Sequence, residues 1–285
     1  MPSARPRPAI SLAGRTDDEV GVVLVEYGDG TYSTLVNYAC HPVSVQVQPL
    51  VSADYPGAAC HLVESAAPGC THCLFTQGAD GDINPIRGGE QKDFGDVARY
   101  GQILGGEVLA ILARLRAPEV QACESVVGAA IEEVALPLRD LPAPEPYQEV
   151  AAAARERAAR AATEEERFAL YNQARGAEES LRTINMGTGP VRTWVQVLRL
   201  GDAALVGCPG EMFVELGLEI KQQAAAPLPL VVGYANDYAG YLSTPAAFAD
   251  GGYETSLGPW CRVGPAGGRM VVDTALRLVR RLWLG

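Results

Sequence analysis

The sequence lacks any long apolar run, and no stretch approaches the roughly 20 apolar residues that a helix needs to cross a bilayer. Residues 1–15 are rich in proline and arginine and contain no apolar segment of the kind that a secretory signal peptide carries. We therefore expect no transmembrane segment and a cytoplasmic location.

Basic residues are also scarce. The chain has 23 lysines and arginines against 34 aspartates and glutamates, which gives a net charge of −11. Nucleic acids are bound through clustered Lys and Arg on phosphates. The charge balance therefore argues against a nucleic-acid partner.

The seven cysteines are an odd number in a chain of 285 residues, which is long enough to bury its own core. This pattern argues against a disulfide framework and indicates a reducing compartment. Cys70-Thr-His-Cys73 resembles half of a zinc site, and Cys60 and His61 lie nearby in sequence. Structural zinc usually needs four ligands. We interpret these as ordinary core cysteines; a redox or structural-zinc module is the less favoured alternative.

The elements that are present alternate between apolar strands and amphipathic helices, which predicts an α/β fold with a mixed β-sheet sandwiched by helices. Residues 1–17 have the composition of a tail or linker remnant, and residues 18–285 form the predicted catalytic domain. An Ala/Arg/Glu-rich stretch at about 145–183 predicts a long helical insertion. We assign no chemistry to this insertion.

No Gly-x-Ser-x-Gly segment exists, so a Ser/His/Asp triad of the α/β-hydrolase type has no support. Instead, polar clusters follow four predicted strands: His41, the loop from Asp80 to Asn84, Glu211 and the loop from Asn236 to Tyr241. Ligands of open α/β folds bind at the carboxyl ends of strands. The four clusters together predict one shared site.

Each of these residues also has a structural interpretation when it is taken alone. His41 is one of only three histidines and could simply be a hydrogen-bonded residue at a strand end. Glu211 is placed in the first turn of a predicted helix, where the helix dipole would stabilise it by about 0.3–1 kcal/mol. Imidazole, carboxylate and phenol are nevertheless all groups that bind metal ions, and a tyrosine can also donate to an oxyanion.

Five ordered segments resemble the neutral/alkaline non-lysosomal ceramidases, in particular their smaller bacterial relatives. They are Asn37-Tyr-Ala-Cys-His-Pro-Val-Ser44, Ser52-Ala-Asp-Tyr-Pro-Gly57, Gln77-Gly-Ala-Asp-Gly-Asp-Ile-Asn-Pro85, Val206-Gly-Cys-Pro-Gly-Glu211 and Asn236-Asp-Tyr-Ala-Gly-Tyr-Leu-Ser-Thr244. The resemblance implies a zinc-dependent hydrolase of sphingolipid metabolism that cleaves an amide (N-acyl) bond of a small lipid-like substrate.

The same resemblance implies the roles of individual residues. His41, Glu211 and Tyr241 match metal ligands of the family and would bind Zn²⁺. Tyr253 matches a second active-site tyrosine. Asn84 stands where the true ceramidases have a serine, and Asp82 is expected to fix the loop or a ligand.

The sequence also departs from the family. The 285 residues contain no Thr-His-Thr-His-Ser-Gly-Pro-like segment, which carries the family's first histidine ligand. We expect the chain to be a smaller relative that lacks the family's N-terminal third and its C-terminal Ig-like domain. The alternative is therefore a catalytically incomplete chain or pseudo-enzyme. Such a chain would need a complementing N-terminal segment, or a homo-oligomer, to complete the site.

Overall fold

The structure is a computed structural model that describes residues 14–46, 49–85 and 93–285. The described strands are β1 (Gly21–Glu26), β2 (Tyr32–Tyr38), β3 (Cys70–Gln77), β4 (Val127–Leu136), β5 (Val191–Leu200), β6 (Ala203–Gly207), β7 (Glu211–Met212), β8 (Leu228–Val232) and β9 (Tyr241–Leu242). The described helices are α1 (Asp54–Ala66), α2 (Phe94–Leu115), α3 (Glu145–Ala159), α4 (Glu164–Asn185), α5 (Val214–Gln223), α6 (Pro245–Asp250) and α7 (Gly267–Trp283).

The first sheet has the order β1-β2-β3. β1 and β2 form an antiparallel hairpin, and β3 runs parallel to β2. Helices α1 and α2 bury the apolar side chains of this sheet, with Tyr32, Val63 and Val108 at the centre of the cluster. Helix α1 has Ala53 at its N-cap position, and the side chain of Asp54 accepts from the backbone N–H of Val45 at 3.0 Å.

The second sheet has the order β4-β5-β6-β8, in which the β6–β8 pair is parallel and the other two pairs are antiparallel. Helices α5 and α7 cover this sheet, and α7 contributes a row of buried side chains that includes Val271, Val272 and Val279. The predicted α/β class with mixed strand pairing is confirmed. The first two sheets form separate layers, each with its own helical cover and its own core.

A third, two-stranded sheet pairs β7 with β9 in parallel. Here the expectation for Glu211 was wrong, because α5 begins at Val214 and Glu211 lies in a strand. Its N–H donates to the carbonyl of Gly240 at 3.0 Å, a ladder bond that holds the backbone extended. The helix dipole therefore does not account for the position of this carboxylate.

Helices α3 and α4 pack on each other where the long helical insertion was predicted, and an Arg155–Glu178 ion pair of 2.5 Å links them. Asp17, at the end of the expected tail, is buried and pairs with Lys221 of α5 at 2.7 Å. Among the described residues, no helix is both long enough and apolar enough to cross a membrane.

The first two sheets meet near the carboxyl ends of their parallel strands. The side chain of Asn37 in β2 donates to the carbonyl of Val231 in β8 at 2.8 Å. The N–H of Gly233, just after β8, donates to the carbonyl of Gln77 at the end of β3 at 2.9 Å. These bonds bring the loops that follow β2, β3 and β8 to one place, where ligand sites of α/β folds form.

Candidate functional site

His41 follows β2 and is held by the loop that follows β3. Both its backbone N–H and its Nδ1 lie 3.0 Å from the carbonyl oxygen of Ile83. A carbonyl oxygen can only accept, so Nδ1 carries a proton and Nε2 is the nitrogen that points into the site. This arrangement, with Nδ1–H on a backbone carbonyl, is the one that orients metal-binding histidines.

Glu211 reaches the same place from β7. It is the register partner of Tyr241 in β9, so the two side chains project from neighbouring positions of a parallel pair. Gly210 makes this pairing possible, because a Cβ at residue 210 would collide with the carbonyl of Gly240. Gly81 likewise allows the loop that follows β3 to approach β7 closely, since a Cβ at residue 81 would lie 2.6 Å from the Glu211 carbonyl oxygen.

The imidazole and the carboxylate face each other directly, with His41 Nε2 at 2.9 Å from Glu211 Oε2. Both side chains are nearly buried. Burial by itself would lower the pKa of His41, but the hydrogen bond to Glu211 and the charge of Asp80 raise it to about 9. Burial likewise opposes ionisation of Glu211, but hydrogen bonds from His41, Tyr238 and Tyr241 hold its pKa below the usual range. Both shifts favour a protonated imidazole that faces an ionised carboxylate.

Tyrosines surround the pair. Tyr238 donates to Glu211 Oε1, and its ring stacks on that of Tyr234 at 6.2 Å between centroids. Burial and the charge of Glu211 raise the pKa values of Tyr238 and Tyr241, so both phenols stay protonated at neutral pH in the metal-free chain. Tyr238 lies in the predicted site loop from Asn236 to Tyr241, but no individual role was predicted for it.

Asp80 lies in the predicted site loop from Asp80 to Asn84, but no individual role was predicted for it. It is fully buried, with Oδ2 at 3.7 Å from His41 Nδ1 and accepting from the Tyr234 hydroxyl at 3.2 Å. Its Oδ1 is buried without a hydrogen-bond partner. Burial raises the pKa of Asp80 to about 7, and the neighbouring His41 charge limits the rise. The loop from Asp80 to Asn84 was predicted to contribute to the site, but nothing in its sequence distinguishes Asp80 from Asp82.

The other predicted residues lie around this centre. Asp82 accepts from the backbone N–H of Val214 at 2.8 Å and so fastens the β3 loop to the start of α5. Asn84 is exposed, one residue after the carbonyl that holds His41. Tyr253 is half-exposed, packs edge-on against Tyr241 at 6.3 Å and stacks on Trp260 at 5.0 Å. Together, Tyr253 and Trp260 form an aromatic wall beside Tyr241, the strand partner of Glu211.

His41 is the histidine that the described chain brings to the site. His61 lies exposed on α1, and His72 lies exposed near the start of β3, several residues from the strand end that carries the site loop. Within residues 14–46, 49–85 and 93–285, no three His, Cys, Asp or Glu side chains are arranged to hold a metal ion. The groups that converge are therefore one imidazole, the carboxylates of Glu211 and Asp80, and neighbouring phenols.

Comparisons with known proteins point to one group of enzymes, although no family model matches the chain. The neutral ceramidase of Pseudomonas aeruginosa is 37% identical over 98 residues, which cover 31% of this chain and 14% of that protein. The neutral ceramidase of Mycobacterium tuberculosis is 35% identical over 75 residues, which cover 23% of this chain and 12% of that protein.

Solved structures extend the likeness to nearly the whole chain. The crystal structure of the Pseudomonas aeruginosa neutral ceramidase matches 94% of this chain with a TM-score of 0.66 and 19% identity. A ceramidase in complex with C2 matches equally well in TM-score, at 15% identity. The chain spans 47% and 48% of the length of these two structures. It is thus similar to the neutral ceramidases in sequence over part of its length and shares their fold, which confirms the resemblance seen in its motifs.

Proposed function

We propose that this chain is a zinc-dependent hydrolase of the neutral ceramidase type that cleaves an amide (N-acyl) bond. The observation that carries the proposal is the convergence of His41 Nε2 and Glu211 Oε2 at 2.9 Å, where the strand ends of three sheets meet. The partial sequence identity to two neutral ceramidases supports the reaction class.

The donor set fits a metal ion for a simple electrostatic reason. With Nδ1–H bonded to Ile83, Nε2 of a neutral imidazole offers a lone pair, and it faces a carboxylate oxygen. Two such acceptor atoms stay together only with a proton or a cation between them. His41, Glu211 and Tyr241 would hold the ion. When bound, zinc supplies Lewis acidity that brings the pKa of a coordinated water to about 7 and polarises a carbonyl group.

The chain's own groups would orient the substrate and balance charge. The phenol of Tyr253 stays protonated, because burial and the charge of Glu211 raise its pKa, and it can donate to the oxygen of a carbonyl under attack. Asn84 would orient substrate or water by hydrogen bonds. Asp80 would hold the imidazole of His41 from the side opposite Glu211, and Asp82 keeps the loop in place.

The substrate that we propose is a small N-acyl compound of lipid-like character. The aromatic wall of Tyr253 and Trp260 lies beside Tyr241, the strand partner of Glu211, and offers an apolar surface for a chain or ring near the scissile bond. Only one histidine reaches the site among the residues that the structure describes. We therefore propose that a fourth donor comes from water or from a complementing segment of another chain.

The test is the zinc content of the purified protein by elemental analysis, before and after mild chelation and reloading. The isosteric Glu211→Gln substitution should weaken zinc retention by about 10–100-fold or more, since loss of even an outer-shell partner has an effect of that size. Glu215→Gln is the matched control, because Glu215 is exposed on α5, four residues further along the chain.

Hydrolysis of N-acyl substrates is measured on the same samples. Zinc near one per chain with hydrolysis in wild type and Glu215→Gln, and neither in Glu211→Gln, supports the proposal. Full zinc retention in Glu211→Gln would contradict the metal assignment. Failure of the wild-type chain to bind zinc would favour the alternative of a catalytically incomplete chain.

A further inference from the structure

Three cysteines that the site does not use lie together in the layer formed by α1 and β3. Cys60 projects from α1, Cys70 begins β3 and Cys73 lies three residues further along that strand. All three pack with the apolar cluster between the first sheet and its helices. From the sequence we interpreted them as ordinary core residues, but the fold places Cys60 of α1 and Cys73 of β3 opposite each other.

One hydrogen bond fixes the position of Cys73 relative to α1. The carboxylate of Glu64 accepts from the backbone N–H of Cys73 at 2.8 Å. Cys60 precedes Glu64 by four residues and so lies on the same face of the helix, one turn earlier. The thiols of Cys60 and Cys73 therefore lie across this helix–strand contact from each other, close enough for each to shift the pKa of the other.

The two thiols are not equivalent. Cys60 is partly exposed to solvent, whereas Cys73 is buried. The contact with Cys73 lowers the pKa of Cys60, although burial opposes this. The same contact and burial raise the pKa of Cys73. An accessible thiolate next to a less acidic thiol is the arrangement of an attacking and a resolving cysteine.

We propose that Cys60 and Cys73 form a redox-active dithiol that closes to an intrachain disulfide between α1 and β3. The oxidant is a low-molecular-weight disulfide such as oxidised glutathione. The Cys60 thiolate attacks one of its sulfurs and releases one small thiolate. Cys73 then loses its proton and attacks the sulfur of Cys60 in this mixed disulfide, which releases the second small thiol. The two protein thiols lose two electrons in total, and the small disulfide gains them.

Closure ties the middle of α1 to β3 through a short loop, so the oxidised chain should unfold at a higher temperature than the reduced one. Cys70 is the other possible disulfide partner, because it lies on the same strand as Cys73 and close enough to Cys60 and Cys73 for charge on one thiol to affect the pKa of another. Its thiol instead donates to the carbonyl of His72. The structure therefore pairs Cys60 with Cys73 and leaves Cys70 reduced.

The test uses the folded chain in a Cys123→Ser background, because Cys123 is exposed and would form mixed disulfides of its own. The protein is equilibrated with increasing ratios of oxidised to reduced glutathione, alkylated and mapped by mass spectrometry. We expect the loss of two thiols, one cross-linked peptide that joins Cys60 to Cys73, and a higher melting temperature. Cys70→Ser should leave all three results unchanged.

Cys60→Ser should abolish the cross-link, and this half-exposed position tolerates serine better than the buried Cys73 does. A cross-link to Cys70, a glutathione adduct on Cys60 that does not resolve, or full retention of the thiols would each overturn the proposal. The wild-type peptide map decides the question even where a variant fails to fold.

Discussion

Replacing Gly81 with alanine should disturb the site through a single steric contact. The new Cβ would lie 2.6 Å from the carbonyl oxygen of Glu211 and 3.0 Å from the backbone carbon of Met212. All of these atoms belong to the backbone of β7, so no flexible side chain can yield. The β3 loop and β7 must separate by roughly 0.5–1 Å to restore ordinary packing.

Separation of this size acts on both stability and function. The hydrogen bond from Gly81 N–H to the carbonyl of Met212, now 2.9 Å, would stretch. Overpacking of a well-packed site costs about 1–3 kcal/mol, and each kcal/mol lowers the melting temperature by about 2–4 °C in a domain of this size. The loop also carries the carbonyl that holds His41, so His41 and Glu211 move apart. A misplacement near 1 Å can lower a reaction rate by about 100-fold.

The assay combines thermal unfolding with zinc retention and N-acyl hydrolysis. Gly106→Ala is the matched control, because Gly106 lies in α2 with nothing within 4 Å of a new Cβ. That control should be neutral or stabilising by about 0.5–1 kcal/mol, since alanine favours a helix. A Gly81→Ala protein with wild-type melting temperature and zinc affinity would refute the argument that close backbone approach sets the geometry of the site.

Two further predictions concern parts of the fold outside the site. Lys221→Met should lower the free energy of unfolding by about 3–5 kcal/mol in urea titrations, because it leaves Asp17 buried without its partner. Adding Asp17→Asn to this variant should recover much of the loss. An unchanged urea midpoint in Lys221→Met alone would count against a buried ion pair. Thr163→Ala should lower the free energy of unfolding by about 1 kcal/mol, because the Thr163 side chain caps α4 by accepting from a backbone N–H at 3.1 Å. Hydrolysis of N-acyl substrates should stay unchanged. A large fall in hydrolysis would show that the helical insertion contributes to the site.

Much of the fold could be predicted because its elements carry strong local signals. Val191–Leu200 has the apolar spacing of a strand and Gly267–Trp283 that of a helix, and the structure forms these elements. The strand that contains Glu211 could not be found in this way. It is two residues long and exists only through its pairing with Tyr241 and Leu242, which lie 30 residues away in the chain.

In the candidate site too, local sequence patterns indicate some residues, whereas tertiary packing alone positions others. His41 and Glu211 could be singled out because each follows an apolar strand within a motif, and the structure brings them together. Asp80 and Asp82 flank one glycine and look alike in the sequence, but folding buries the first beside His41 and turns the second toward α5. Which carboxylate enters the site depends on tertiary packing, which no local pattern encodes.

The distance along the chain between the two central groups has a consequence for how the site forms. His41 and Glu211 are 170 residues apart in sequence, and they reach each other only after the first sheet docks against the second. In the unfolded chain their mutual effective concentration is low, because closing so long a loop is entropically costly. An ion held by both groups would bind only the chain in which the first two sheets are docked, and it would stabilise the contact between them. Saturation with that ion should therefore slow hydrogen exchange in both sheets together, including strands that never touch it.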